Sequence, residues 1–195
     1  MTSRNAIVLA SSSPYRRELL EKLGLSFTAE SPEIDETPRP GEPPYELVMR
    51  LAESKARALA GCHPAAFIIG SDQVAVLDNL VLGKPGNREN AIAQLSQCSG
   101  KTVVFHTGLC LLNSETDNVQ VDDVPFEVKF RKLMPAQIER YVDAEKPFHS
   151  AGSFKAESLG IALFEYLRGD DPNALIGLPL IRLTQMLSNA GIDLP

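Results

Sequence analysis

The stretch that decides the fold is residues 6–24, AIVLASSSPYRRELLEKLG. Ala6 to Ala10 is an unbroken apolar run, the pattern of a buried strand. It stops at three serines. Ser13 is a residue type that caps helices, and Pro14 suits a first helical turn, where its fixed φ fits and its missing N–H is not needed. Leu19, Leu20 and Leu23 then form one apolar face, and Gly24 ends the helix. A strand passing through a short loop into a helix start is the opening unit of an α/β chain.

The alternation continues outward. A short strand is expected around Phe27, followed by SPEIDETPRPGEPP (31–44), a loop rich in proline and acid. Tyr45 to Ala60 reads as a helix buried along Leu47, Val48, Leu51 and Leu59, with Ala52 and Ala56 on or near that stripe. Residues 66–85, AFIIGSDQVAVLDNLVLGKP, read as strand, an irregularity at Gly70, more strand, a turn at Asp78-Asn79 and a short return strand. Asn87 to Gln97 reads as a helix with Asn87 as cap and Gly100 beyond its end. TVVFHTGLCLLN (102–113) and VDDVPFEVKFRKL (121–133) are long strands joined by the polar turn SETDN. A helix starts at Pro135, SLGIALFEYLRG (158–169) reads as strand, and PLIRLTQMLSNAG (179–191) is a closing helix. No repeat or low-complexity linker interrupts the chain. The expected architecture is mixed α/β, a single domain over 1–195 built as two lobes with a cleft between them.

Composition narrows the function. The 195 residues are 44% hydrophobic and 23% charged, with a formal net charge of −6. That balance argues against a general basic surface for nucleic acid. No apolar run approaches the ~20 residues that span a bilayer, and the N-terminus lacks the pattern of a secretory signal. Cys62, Cys98 and Cys110 are odd in number and have no CxxC spacing, so they read as buried free thiols rather than a disulfide framework or a zinc site. A cytoplasmic location is the expectation.

Three clusters carry chemistry. The first is the serine loop and helix start. A helix N-terminus offers free N–H groups and partial positive charge to an anion. Ser11 and Ser13 add hydroxyls, and Arg16 and Arg17 add guanidinium charge, which grips two phosphate oxygens at once. On spacing alone, the same residues are also a capped helix with two solvated arginines. The second cluster is EIDET, with Glu33, Asp35 and Glu36; bunched carboxylates hold a divalent cation or form a solvated acidic loop. The third is Asp72, set in an otherwise apolar strand beside Ser71 and Gln73. A charge there needs partners, and its functional reading is a metal ligand or general base. Lys55, inside an apolar-striped helix, and Lys84, in the turn LGKPGN, are further cations suited to a polyphosphate. SGKT (99–102) imitates the end of a phosphate-binding P-loop, but its leading glycine falls on Leu95, so the motif fails. His63, His106 and His149 have no metal-ligand spacing.

LASSSPYRRELL, EIDET, LAESKA, IIGSDQVAVLD, LGKP, AGSFKAES and IGLPL together, in this order, resemble the Maf family of nucleotide pyrophosphatases along almost the whole chain. The resemblance implies an elongated mixed sheet with flanking helices, similar to the inosine triphosphate pyrophosphatase architecture, and often a homodimer. It implies hydrolysis of a nucleoside triphosphate between the α and β phosphates with a divalent metal, Mg²⁺ or Mn²⁺. By motif, Asp72 matches the proton acceptor and, with Asp35, the metal-holding acids. Lys55, Lys84, Arg16, Ser11 and Ser13 match the phosphate site. Tyr15 stands where most of the family has arginine, Gln73 follows the aspartate where pyrimidine-nucleotide members have threonine, and Glu157 lies in a divergent stretch. These three resemble the subgroup that hydrolyses 7-methyl-GTP in the house-cleaning of modified nucleotides. N7 methylation makes guanine cationic; a tyrosine ring stacks on such a base, and a carboxylate accepts its N–H groups. The alternatives are a dTTP/UTP pyrophosphatase of the same family and a non-enzymatic, nucleotide-binding septum regulator.

Overall fold

The structure is a computed structural model that describes residues 6–194. In chain order its elements are β1 (Ala6–Ala10), α1 (Pro14–Glu21), β2 (Thr28–Glu30), α2 (Pro44–Ala60), β3 (Ala66–Leu77), β4 (Leu80–Leu82), α3 (Arg88–Cys98), β5 (Thr102–Asn113), β6 (Asn118–Phe130), α4 (Pro135–Glu145), β7 (Phe164–Arg168) and α5 (Leu180–Asn189). The strands form a seven-stranded sheet in the order β2-β1-β3-β5-β6-β7, with β4 paired to β3. β1 runs parallel to β2 and β3, whereas β4 and β7 are antiparallel to their partners. The sheet is therefore mixed, as expected. The chain divides into two compact units.

The first unit runs up to Gln73 and adds Thr107–Val124 and the chain from Asn173. β1 is parallel to both its neighbours, and helices cover both its faces. Ile7 and Leu9 pack with Leu19 and Leu20 of α1 and with Leu183, Met186 and Leu187 of α5. Val8 and Ala10 pack with Ala52, Ala56 and Leu59 of α2. The period of two sorts β3 in the same way: Phe67 and Ile69 join the first face, Ala66 and Ile68 the second.

Gly70 does not break β3, which continues through it to Leu77. The glycine answers a close approach rather than an irregular backbone. A Cβ there would lie 2.0 Å from the Ala52 carbonyl oxygen of α2, and at Gly108 on β5 it would lie 2.1 Å from that of Val48. These two bare positions let the helix backbone settle onto the sheet.

The second unit comprises Val74–His106 and Pro125–Pro172. Its core holds four phenylalanines in edge-to-face contact, with Phe154 5.3 Å from Phe105, 5.5 Å from Phe130 and 4.8 Å from Phe164 between ring centroids. The Asp78-Asn79 turn between β3 and β4 has both residues at positive φ, the geometry of a tight hairpin. Residues 158–169 are strand only from Phe164. Leu159–Leu163 is a 3-10 helix, and within it Gly160 lies against the Lys155 carbonyl, where a Cβ would be 2.3 Å away. Cys98 and Cys110 are buried free thiols, but Cys62, past the end of α2, is exposed. Among the described residues, no helix is long and apolar enough to cross a membrane.

Candidate active site

Strand alternation builds this site. Gly70 lies under α2, so Asp72, two residues on, faces the same helix. Lys55 occupies the buried stripe of that helix, between Leu51-Ala52 and Ala56-Leu59. Its ammonium group donates to Asp72 Oδ1 at 2.6 Å and pairs with Glu36 Oε1 at 2.8 Å. The Lys55 side chain is 10% exposed and that of Asp72 13%. Breaking such a nearly dry pair from one side costs roughly 3–5 kcal/mol, because a charge is left buried without its partner.

Ser71 and Gln73 face the opposite side and hold a turn near the C-terminus. Ser71 Oγ donates to the Gly177 carbonyl at 2.9 Å, and Gln73 Nε2 donates to the Ala174 carbonyl at 2.7 Å and to Thr107 Oγ1 at 3.0 Å. Thr107 Oγ1 donates to the same Ala174 carbonyl. The turn closes at Gly177, whose φ of 118° suits glycine. Its carbonyl also accepts from Arg16 Nε at 2.8 Å, which fixes the guanidinium in orientation.

The serine loop completes this group. Ser13 caps α1, as expected, accepting from the Arg16 N–H. Ser11 Oγ accepts from the Ser13 N–H at 3.1 Å and from Arg16 Nη1 at 3.5 Å. Ser11 follows the last β1 residue paired with β3, so it and Asp72 both lie just past the Ala10↔Gly70 pair. The carboxyl ends of parallel strands are where open α/β sheets bind ligands. Loss of hydration lowers the Arg16 pKa from its ordinary value, while the charges of Asp72 and Glu36 oppose that shift. Tyr15, one residue earlier on α1, is 41% exposed.

The acidic loop reaches the site through Glu36. Asp35 is exposed, and its Oδ1 accepts from the Thr37 N–H at 2.9 Å. Hydrogen bonding from Thr37 is the largest cause holding its pKa below the usual carboxylate value. Arg50 of α2 grips Glu42 with two donors, Nε at 2.5 Å and Nη2 at 2.7 Å. The fork and the Arg39 N–H bond drive the Glu42 pKa down to about 2.

Of the residues singled out from sequence, Ser11, Ser13, Tyr15, Arg16, Asp35, Lys55, Asp72 and Gln73 belong to the first unit. Bonds through the Gly177 turn and Lys55 link most of them. Lys84 and Glu157 belong to the second unit, and both are exposed. Lys84 follows β4 in a turn held by the Gly86 N–H to the Phe148 carbonyl, 3.0 Å. The segment on both sides of Glu157 is pinned to α4: Lys155 N–H donates to Tyr141 Oη, and Ser158 Oγ and Leu159 N–H donate to the Glu145 carboxylate.

Sequence reasoning missed Ser71, Thr107, Gly177, Arg50 and Glu42. Gly177 carried a signal in IGLPL, since a glycine before Leu-Pro marks a turn. Arg50 carried none.

Among the described residues, no group of three or more His, Cys, Asp or Glu side chains forms a metal cage. Mg²⁺ on a nucleotide takes only one or two carboxylates and fills its shell with phosphate oxygens and water. Asp72 and Glu36, which meet at Lys55, are oxygen donors of that kind, so these two carboxylates fit such an ion.

The model of the Maf-like protein family matches residues 6–190. A protein of Alcanivorax borkumensis named 7-methyl-GTP pyrophosphatase is 61% identical, over 97% of this chain and 96% of its own. Proteins of the same name from Pseudomonas putida and Methylobacillus flagellatus are 60% and 55% identical, over 97% and 96% of this chain and 98% and 97% of theirs. With a match over nearly its whole length, the chain belongs to the Maf family.

Proposed function

We propose that this chain hydrolyses 7-methyl-GTP to 7-methyl-GMP and pyrophosphate. The observation that carries the reading is the Lys55–Asp72 pair at 2.6 Å, beside an arginine held at a helix start. Substrate identity comes from relatives that bear the name and from Tyr15, an exposed ring one residue from Arg16.

In this mechanism Lys55 occupies Asp72 Oδ1, and Oδ2 takes the proton of the attacking water. The water oxygen forms a bond to the α phosphorus in line, and the bond to the bridging oxygen of the β phosphate breaks. Pyrophosphate leaves with its charge balanced by Arg16 and Lys55, while the Ser11 and Ser13 hydroxyls orient the phosphates. Asp72 and Glu36 would hold the divalent cation, which when bound polarises the phosphate oxygens and lowers the pKa of water. Tyr15 stacks on the cationic base. Gln73 acts on selectivity through the turn it anchors. Cation and aromatic give specificity partly by refusal, since an arginine at position 15 would repel that base.

The test is pyrophosphate release from 7-methyl-GTP, GTP, dTTP, UTP and CTP, with Mg²⁺ or Mn²⁺ and with a chelator, for the wild type and Tyr15→Arg. Metal-dependent release led by 7-methyl-GTP, with that lead reduced in Tyr15→Arg, is expected. Release led by dTTP or UTP would overturn the base assignment while leaving the phosphate chemistry. Nucleotide binding without release from any substrate would overturn the enzyme.

A further inference from the structure

Glu36 is 59% exposed at its side chain and sits in a loop without regular structure, yet it meets Lys55 at 2.8 Å. Something must bring it there. The segment from Ser31 to Pro43 carries four prolines, so it has few backbone N–H groups with which to fasten itself. Apart from the Glu36–Lys55 pair, its described bonds to side chains of α2 go to one residue. Arg50 donates Nε to Glu42 Oε1 and Nη2 to Glu42 Oε2, and Nη2 also donates to the Thr37 carbonyl at 3.2 Å. Glu42 Oε2 accepts in turn from the Arg39 N–H at 2.9 Å. The loop is thus gripped at Thr37, immediately after Glu36, and again at Glu42.

Arg50 and Lys55 stand on the same helix, five residues or roughly 7.5 Å of rise apart. The residue that grips the loop and the residue that meets its carboxylate are therefore parts of one rigid body. We propose that Arg50, with Glu42, is a positioning residue that holds the acidic loop so that Glu36 reaches Lys55 beside Asp72. The inference rests on the reading above only for its effect on turnover; the clamp itself is independent of substrate. A lysine cannot replace the arginine, because a single ammonium group does not make the planar fork that bonds two carboxylate oxygens and a carbonyl together.

Two measurements test it on the intact chain. Hydrogen exchange of the backbone amides of residues 35–42 is compared among wild type, Arg50→Ala, Arg50→Lys and Glu42→Gln. Exchange at the Thr37 and Arg39 amides should quicken at least tenfold in all three variants, with amides of the α2 interior unchanged. Unaltered loop exchange in Arg50→Ala would overturn the clamp. The second measurement is the effect of Glu36→Gln on kcat for whichever nucleotide the wild type turns over best, in Arg50 and in Arg50→Ala backgrounds. The Glu36→Gln loss should shrink severalfold once Arg50 is gone, because the carboxylate is already displaced. An equal loss in both backgrounds would mean that Arg50 does not position Glu36. If no nucleotide is turned over, the functional reading fails, and the exchange result still decides the clamp.

Discussion

Replacing Gly70 by alanine adds one methyl group at the point where α2 touches β3. The new Cβ would sit 2.0 Å from the Ala52 carbonyl oxygen, 3.0 Å from its carbon and 3.1 Å from the Ala56 nitrogen. All three are backbone atoms, so no side chain can swing aside. Real Cβ contacts do not fall below 3.0 Å, so α2 must retreat by about 1 Å. Overpacking of this kind costs ~1–3 kcal/mol of stability. The same retreat carries Lys55 away from Asp72 and lengthens their 2.6 Å contact past the ~3.2 Å reach of a good hydrogen bond. Misplacement by 1 Å at a reacting centre lowers rate by roughly 10²-fold. Urea unfolding and steady-state pyrophosphate release measure the two effects. Gly61→Ala is the control: Gly61 is the C-cap of α2 at φ −67° with open space around it, and alanine there should change stability by under ~1 kcal/mol. Gly70→Ala with wild-type stability and wild-type turnover would refute the account of how helix and strand are joined.

Two further predictions concern titrating groups. Burial raises the thiols of Cys98 and Cys110 to about 12, so at pH 8 an alkylating reagent should label Cys62 alone in the folded protein and all three in urea; rapid labelling of Cys110 in the native state would contradict its burial. The folded pKa of Glu42, about 2 against an ordinary 4.5, means its bond to Arg50 stabilises the fold above about pH 4.5 and is lost as pH falls towards 2. Glu42→Gln should therefore be less stable than wild type at pH 7, with the gap closing between pH 4.5 and 2; a gap independent of pH would place the effect elsewhere.

Local pattern made much of this molecule legible. The apolar run at Ala6–Ala10, the Ser13 cap, the Pro14 start and the stripe of α2 each depend on neighbours in sequence, and all appear where those neighbours put them. Lys55 stood out as a lysine within an apolar-striped helix and read as a cation for phosphate; its pairing with Asp72 is visible only in the structure. What failed was set by tertiary contact. Gly70 looked like an irregularity because its reason, the backbone of α2, is distant in sequence. Leu159–Leu163 is a different case: it had the composition of a strand but forms a 3-10 helix, with Gly160 against the backbone of Lys155, a contact local in sequence that composition does not reveal. EIDET read as an acidic loop, while which carboxylate turns inward depends on Arg50, and Glu36 rather than Asp35 is the one that meets Lys55. Gln73 stood out by its place after Asp72, where the resemblance marks a subgroup, but nothing in the sequence showed what its side chain holds. Alternation sends it to the opposite face, where it holds the Ala174 carbonyl.

The central claim is that Asp72, held by Lys55, takes the proton of the attacking water. It is tested most directly by single-turnover pyrophosphate release from 7-methyl-GTP by Asp72→Asn, with nucleotide binding measured on the same protein. Asparagine keeps the size and can still accept from Lys55, but it cannot take a proton. The account predicts that release slows by roughly 10²–10⁴-fold while nucleotide affinity stays within a few-fold of wild type. Release at the wild-type rate would contradict it.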